Sequence, residues 1–434
     1  MMTVVRRLAF STAIACAGTV PGLAQSRTTD QYPADVATAW MDLLVQSVKT
    51  EKYSPVVASR LYGFAGITLY ESVCAGMPGH RSLGNQLLDL GTVPKPKRAL
   101  KYHWPAAANA AVASVLRTLL ASASAATLTA IDDLEQSFAT EFAAETRARV
   151  LARSTAYGQR IADLIVAWAA GDGYATYHNC SYTPPVGPGL WEPTPPDFKP
   201  PLEPCWGQIR TFALPASDFC SPPPAPAYST DPASEFYAAA EEVFTVWQNL
   251  TQEQKDIATF WADSPGVTGT PPGHWVRIVS AVCSQYQMQL DVAAECYARV
   301  GIAVHDAFIN CWQAKYTFNL LRPVTYIQAN IQAGWLPYLN NTPAFPTYTS
   351  GHSTQSGAVA ALLADLLGDL PFTDDTHADL GYPSRSFDSF WEAAEEAAVS
   401  RLYGGIHYRF DNDRGNETGR CVGLVILGSV SFTR

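Results

Sequence analysis

The distribution of proline constrains this chain more than any other feature. The stretch from Tyr174 to Ser229 carries a large share of the 31 prolines, including Pro184-Pro185 and Pro195-Pro196. Proline lacks an amide hydrogen and clashes with the preceding turn, so this stretch cannot be long helix. Trp191, Trp206 and Phe212 give it groups to bury. It is therefore expected to be an ordered excursion, because flexible linkers are Gly/Ser-rich and poor in aromatics. On either side, apolar residues recur at helical spacing. The pattern predicts helices over 34–48, 55–74, 104–120, 128–142 and 146–169. It predicts more over 235–249, 252–261, 275–318, 353–367, 388–403 and 415–427. Strand alternation is not sustained over several segments, and no repeat of about 20–50 residues is evident. An all-α protein of antiparallel helices around a buried site follows. The expected division is an N-terminal helical half, 25–230, containing the excursion at 174–229, and a C-terminal helical domain, 231–434.

Residues 1–24 read as a secretory signal peptide. Arg6 and Arg7 form the charged region, Leu8 to Val20 the apolar one, and Gly22-Leu23-Ala24 a small-residue cleavage site before Gln25. The paired arginines and Ala13-Ile14-Ala15-Cys16 keep a twin-arginine and a lipoprotein-type leader as alternatives. A secreted or periplasmic protein without a membrane span is expected, since no later segment holds roughly 18 unbroken apolar residues. Of nine cysteines, all but Cys16 follow the leader, and an exported protein permits disulfides among them. Cys180, Cys205 and Cys220 lie in the proline-rich stretch, where bridges help most. Cys283, Cys296 and Cys311 fall in helical pattern and read as buried free thiols. No pair has C-x2-C spacing, so a zinc site is not expected. The net charge of -10 becomes -12 without Arg6 and Arg7. An acidic chain without a basic run is a poor match for nucleic acid or an anionic lipid surface. A homo-oligomer is left open.

Against that acidic background, three short segments gather cations. They are Lys315 to Pro323 (KYTFNLLRP), Phe345 to Ser353 (FPTYTSGHS) and Ser400 to Asp411 (SRLYGGIHYRFD). Lys315, Arg322 and Arg401 supply positive charge, and arginine presents a planar fork of donors suited to oxyanion edges. Lys315 and Arg322 are seven residues apart, about two helical turns, so both are expected to face one direction, with Pro323 ending the helix. Ser350 and Gly351 precede an apolar helical run. Amides at a helix start bind anions without side-chain charge, and glycine permits close approach. His352 follows at the rim as a candidate acid or base. Gly404 and Gly405 predict a bend that brings Arg401 and His407 together, and Asp411 is placed to fix the imidazole tautomer. The inventory describes a pocket for a tetrahedral oxyanion, phosphate or vanadate, with a histidine on either side.

These segments resemble those of the vanadium-dependent haloperoxidases and the type 2 phosphatidic acid phosphatases, which share one pocket. The usual second motif reads P-S-G-H, and Thr349 stands here in place of its proline. Trp312, Phe345 and Asp306 are similar to residues of the haloperoxidase branch, although Trp312 and Phe345 also fit ordinary core aromatics. LYESVCAGMPGHRSLGNQL, GLWEPTPP and FWADSPGVTGTPPGHW extend that likeness upstream. The resemblance implies two four-helix bundles with the pocket in the C-terminal one. It implies vanadate (vanadium V) held by Lys315, Arg322, Ser350, Gly351 and Arg401, with His407 bonded to vanadium and His352 assisting proton transfer. The substrates it implies are hydrogen peroxide and halide. The alternative is a periplasmic acid phosphatase with His407 as nucleophile and His352 as general acid. His178, His274 and His305 read as loop or helix-surface groups, with His274 expected to line an entrance, and His80, His103 and His377 carry no signal.

Overall fold

The structure is a computed structural model that describes residues 27–434. The leader lies outside the described residues. The chain opens with α1 (Asp35–Glu51), α2 (Pro55–Val73), α3 (Trp104–Leu119), α4 (Ala125–Glu145) and α5 (Ala148–Ala170). A single turn, α6 (Tyr174–Tyr177), leads into the proline-rich excursion. Then follow α7 (Glu235–Gln248), α8 (Gln252–Phe260), α9 (Thr270–Gln285), α10 (Leu290–Phe318), α11 (Pro323–Asn330) and α12 (Gly351–Leu367). A small antiparallel pair, β1 (Phe372–Asp374) and β2 (Arg385–Phe387), precedes α13 (Phe390–Tyr403) and α14 (Arg409–Ser429). The protein is mostly helical, and among the described residues no helix is long and apolar enough to cross a membrane.

Residues apolar on all sides make central helices. In α2 every residue from Val56 to Val73 is buried, and α10 is buried over most of its length. These two helices pack together, and α10 also packs against α12, which in turn meets α13 and α14. Helix α10 therefore joins the first group of helices to the second. One apolar core runs through both groups, and a smaller cluster gathers Phe236, Tyr326, Trp335, Tyr348 and Tyr408.

Two departures from the expected helices bear on the site. The pattern over 275–318 is not continuous: α9 ends at Gln285 and α10 begins at Leu290. Gln287, at φ 49°, breaks it in the left-handed region without a glycine or proline to announce the turn. Similarly, Lys315 and Arg322 do not share a helix. Asn319 caps α10 at φ 47°, a left-handed conformation that asparagine tolerates, and Arg322 instead stands in extended conformation as the N-cap of α11.

The excursion is ordered. Trp191, Trp206 and Phe212 are buried in it. The Asp306 carboxylate on α10 accepts the backbone N–H groups of Phe212, Ala213 and Leu214 at 2.6, 2.8 and 2.9 Å, which fixes a loop that has few ladder partners. Burial pushes that carboxyl up to about 6, although the three amides favour its charged form. Disulfides Cys180–Cys205 and Cys220–Cys421 staple the excursion to itself and to α14. Cys74, Cys283, Cys296 and Cys311 are free and buried.

Candidate active site

Helix α12 starts at the bottom of the site. Ser350 is its N-cap, accepting the Ser353 amide at 3.4 Å, and Gly351 opens the helix at the wall of a cavity of about 590 Å³. Helix α14 lies hard against this first turn. A Cβ on Gly415 would meet Ser350 O at 3.0 Å and Ser353 Cβ at 2.7 Å, so only glycine permits the approach. The Ser350 amide donates to Asp411 O at 3.0 Å. The contact sets the start of α14, with Asp411, beside the start of α12. Gly405, at φ 76°, makes the bend after α13, and His407 emerges between Arg401 and Asp411.

His407 is fixed from both ends. Its Nδ1 lies 2.9 Å from Asp411 Oδ2 and 3.1 Å from Thr347 Oγ1. Thr347 also donates its hydroxyl to Asp411, and the Tyr408 amide donates to the same carboxylate oxygen at 3.1 Å. A carboxylate only accepts, so the His407 proton sits on Nδ1 and Nε2 carries the lone pair. That Nε2 accepts from Arg322 Nη1 at 3.1 Å. Burial, then Arg322, Lys315 and Arg401, hold the imidazole well below its ordinary range, so it is neutral at physiological pH. The result is a buried, tautomer-locked nitrogen donor facing cations.

The arginines are held by backbone oxygens. Arg322 Nε donates to Phe345 O at 2.9 Å and Nη1 to Ile406 O at 2.9 Å. Arg401 Nη1 donates to Trp261 O at 2.6 Å. Burial lowers Arg322 to about 9 and Arg401 to about 10. Both remain charged at neutral pH. Lys315 is arranged differently. Its Nζ donates to the carbonyls of Pro346, Thr347 and Thr349, and it does not line the cavity. Three carbonyls match its three hydrogens. Lys315 thus pins the 346–349 segment and adds its charge from beneath, while burial pulls its ammonium well down from the usual lysine value. Burial raises Asp411 from the usual carboxylate value.

Among the buried atoms near the cavity that have no hydrogen-bond partner among the described residues are Arg322 Nη2, Arg401 Nε, His352 Nε2 and Ser353 Oγ. A buried unpaired donor on a charged group is costly, typically about 1–3 kcal/mol or more. Two guanidinium donors, a helix start and a histidine left open together fit an oxyanion. His352 lies partly exposed at the cavity, and burial and Arg401 hold its imidazole well below the ordinary value, with Asp263 opposing. The walls carry Trp312 and Phe345, whose ring centroids are 4.8 Å apart. Trp312 Nε1 donates to Leu202 O at 3.3 Å, and Arg322 Cζ sits 4.8 Å from the Phe345 ring centroid. The structure therefore gathers all ten of the named residues into one region, with Gly351, His352, Arg401, His407, Trp312 and Phe345 at the cavity.

Sequence reasoning misplaced a neighbouring cluster. His274 is not a surface group. It is 1% exposed, with Nδ1 2.8 Å from Asp263 Oδ2 and Nε2 2.8 Å from Asp374 Oδ2. Burial opposes its charge, but Asp263 and Asp374 outweigh that and raise it to about 10. His305 is also buried, its ring 3.8 Å from that of Phe212, and burial lowers it to about 3. Asp263, Asp374 and His377 went unnoticed because they lie far apart along the chain and have no local pattern. The one available signal was His274 itself, following two prolines in the first turn of α9.

Three comparisons place the chain among known proteins. Residues 295–432 match the family model described as the VCPO second helical-bundle domain. The chain is 26% identical over 270 residues to the vanadium chloroperoxidase of Curvularia inaequalis, a match covering 46% of this chain and 44% of that protein. The chain thus spans less than half the length of that curated relative. The fold superposes on the crystal structure of the first bacterial vanadium-dependent iodoperoxidase with TM-score 0.86 and 34% identity, covering 93% of this chain and 98% of that one. A holo-type bacterial vanadium-dependent chloroperoxidase shares the fold at TM-score 0.66 and 15% identity, covering 87% and 94%.

Proposed function

The chain belongs to the vanadium-dependent haloperoxidase family, and we propose that it oxidises halide with hydrogen peroxide to a hypohalous species, using vanadate held in the cavity at the start of α12. The overall reaction is H2O2 + X⁻ + H⁺ → HOX + H2O. The observation that supports this reading is the pair of unpaired buried guanidinium donors, Arg322 Nη2 and Arg401 Nε, with His352 Nε2 open beside them and the locked tautomer of His407 opposite. When bound, vanadate supplies a Lewis acid that makes peroxide electrophilic without changing its own oxidation state.

The residues carry the remaining work. Arg322 and Arg401 neutralise the oxyanion's charge, each already oriented by backbone carbonyls, and Arg322 Nη1 gives up its contact with His407 Nε2 when that lone pair is used. The Gly351 amide and the Ser350 hydroxyl add donors at the helix start. Lys315 contributes positive charge through the 346–349 backbone that it clamps. His407 offers Nε2 to the metal, and Asp411 keeps Nδ1 protonated so that the lone pair stays on that side. His352, neutral in this environment, takes a proton from peroxide and returns one to the leaving oxygen. Trp312 and Phe345 exclude water from one wall and leave room for the halide. The two disulfides support an exported, oxidising location, in keeping with the leader.

The test is iodide and bromide oxidation by metal-free mature protein with peroxide, with and without orthovanadate. Activity only with vanadate, suppressed by excess phosphate, is the expected outcome. No oxidation in either state, with hydrolysis of a phosphate monoester that vanadate inhibits, would transfer the site to phosphoryl chemistry.

A further inference from the structure

Behind Arg401 lies a second buried group of ligand-type side chains that the proposed reaction does not use. Asp263, in the segment between α8 and α9, faces the active-site cavity on one side and His274 on the other. His377 approaches from the loop after β1, its Nε2 3.2 Å from Asp263 Oδ1. That pair does not satisfy hydrogen-bond geometry: Asp263 Oδ1 and His377 Nε2 are both buried without a hydrogen-bond partner among the described residues, although each residue is only 3% exposed. One ligand atom each from Asp263, His274 and His377 lies within 4.8 Å of the others. A histidine nitrogen and a carboxylate oxygen this close, buried and off the line of a hydrogen bond, are placed as two ligands of one ion would be.

We propose that Asp263, His274 and His377 form a second cation site, separate from the oxyanion pocket, for a divalent ion of the zinc class. The donor set of two imidazoles and one carboxylate suits zinc and leaves the fourth position of a tetrahedron open. The spacing is close to what such a site needs. Zinc–ligand distances of roughly 2.0–2.1 Å place ligand atoms about 3.3 Å apart. Here His377 Nε2 to Asp263 Oδ1 is 3.2 Å, and His274 Nδ1 to Asp263 Oδ2 is 2.8 Å, a hydrogen bond to the other carboxylate oxygen that the ion would replace. The remaining nitrogen of His274, Nε2, lies 2.8 Å from Asp374 Oδ2. A histidine that binds metal through one nitrogen usually donates the other N–H to a carboxylate, which fixes ring and tautomer. Charge also balances, since the dication displaces the Nδ1 proton of His274 to solvent and then offsets Asp263 and Asp374.

An entry path is present. A cavity of about 310 Å³, lined by other residues than the active-site cavity, is bordered by His274, His377, Thr376, Asp375 and Asp379. The open coordination position would face it. The ion would stiffen the segment on which Trp261 O holds Arg401 and Asp263 approaches His352, linking cation binding to the geometry of the oxyanion pocket. The absence of C-x2-C pairs excludes only a cysteine site and has no bearing on this one.

Isothermal titration of the chelator-stripped full-length mature protein with Zn²⁺, in the absence of vanadate, tests the proposal. One equivalent of zinc should bind. His377→Ala and Asp263→Asn should each weaken it by tenfold or more, and wild-type protein carrying Co²⁺ should show tetrahedral visible absorption that His377→Ala lacks. His377→Ala loses the 3.2 Å contact with Asp263, so its circular dichroism is compared with wild type, and a matching spectrum separates ligand loss from misfolding. No uptake at submillimolar zinc, or uptake unchanged in both variants, would overturn the site. Because the titration involves neither vanadate nor halide, its outcome is independent of the proposed activity.

Discussion

Replacing Asp411 by Asn tests the locked histidine most sharply. Asp411 Oδ2 receives Nδ1 of His407, the Thr347 hydroxyl and the Tyr408 amide. Asparagine keeps the size and one oxygen acceptor but removes the charge. Hydrogen bonds to a charged group are worth about 1.5–3 kcal/mol, against about 0.5–1.5 kcal/mol for neutral ones. The His407 contact alone therefore loses about 1 kcal/mol of orientation, and the imidazole becomes a weaker donor. Loss of a carboxylate behind a metal-binding histidine typically weakens metal affinity about 10–100-fold. That range corresponds to about 1.4–2.7 kcal/mol. The assay is recovery of halide oxidation by stripped protein against orthovanadate concentration, giving the vanadate dissociation constant for wild type and Asp411→Asn. Thr347→Val should show a smaller loss, because it removes one neighbour of Oδ2 and leaves the charge. A dissociation constant within twofold of wild type in Asp411→Asn would refute the argument that this carboxylate sets the His407 donor.

His352→Ala should leave vanadate affinity nearly unchanged and reduce turnover about 10²–10⁴-fold, the range for a lost acid–base group, as steady-state kinetics at saturating vanadate would show. His274→Ala in chelator-treated protein should cost about 3–5 kcal/mol in denaturant unfolding, because it strands two buried carboxylates. His274 is raised in the fold, to about 10, so its stabilisation is complete below its unfolded value near 6.5 and is lost as pH rises through about 10. The stability gap between wild type and His274→Ala should therefore narrow from pH 7 to pH 10. Removing the Cys220–Cys421 bridge, which closes 201 residues, should lower unfolding stability by about 5 kcal/mol on chain-entropy grounds, against about 3.5 kcal/mol for Cys180–Cys205, which closes 25.

What could be read from sequence was local. Ser350-Gly351-His352 announces a helix start, because a serine cap and a glycine precede an unbroken apolar run, and α12 begins there. The glycine pair before His407 announces its bend. The proline-rich stretch was legible as ordered from its aromatics, while its anchor, Asp306 holding three amides, depends on contacts about 90 residues apart. Local reading failed where an ordinary residue adopts a left-handed conformation. Gln287 splits a run read as one helix, and Asn319 turns Arg322 off the helix of Lys315. The carbonyl cage around Lys315 was not legible, since carbonyls leave no trace in residue type. The Asp263–His274–Asp374–His377 cluster was not legible either. Its members are brought together only when β1 and the loop after it fold onto α9.

The most direct test of the account is a crystal structure of the protein soaked with orthovanadate. It should show one oxyanion within hydrogen-bonding distance of Arg322 Nη2, Arg401 Nε and the Gly351 amide, with a single bond from vanadium to His407 Nε2. An anion bonded to His352, or seated away from the Arg322 and Arg401 donors, would contradict it.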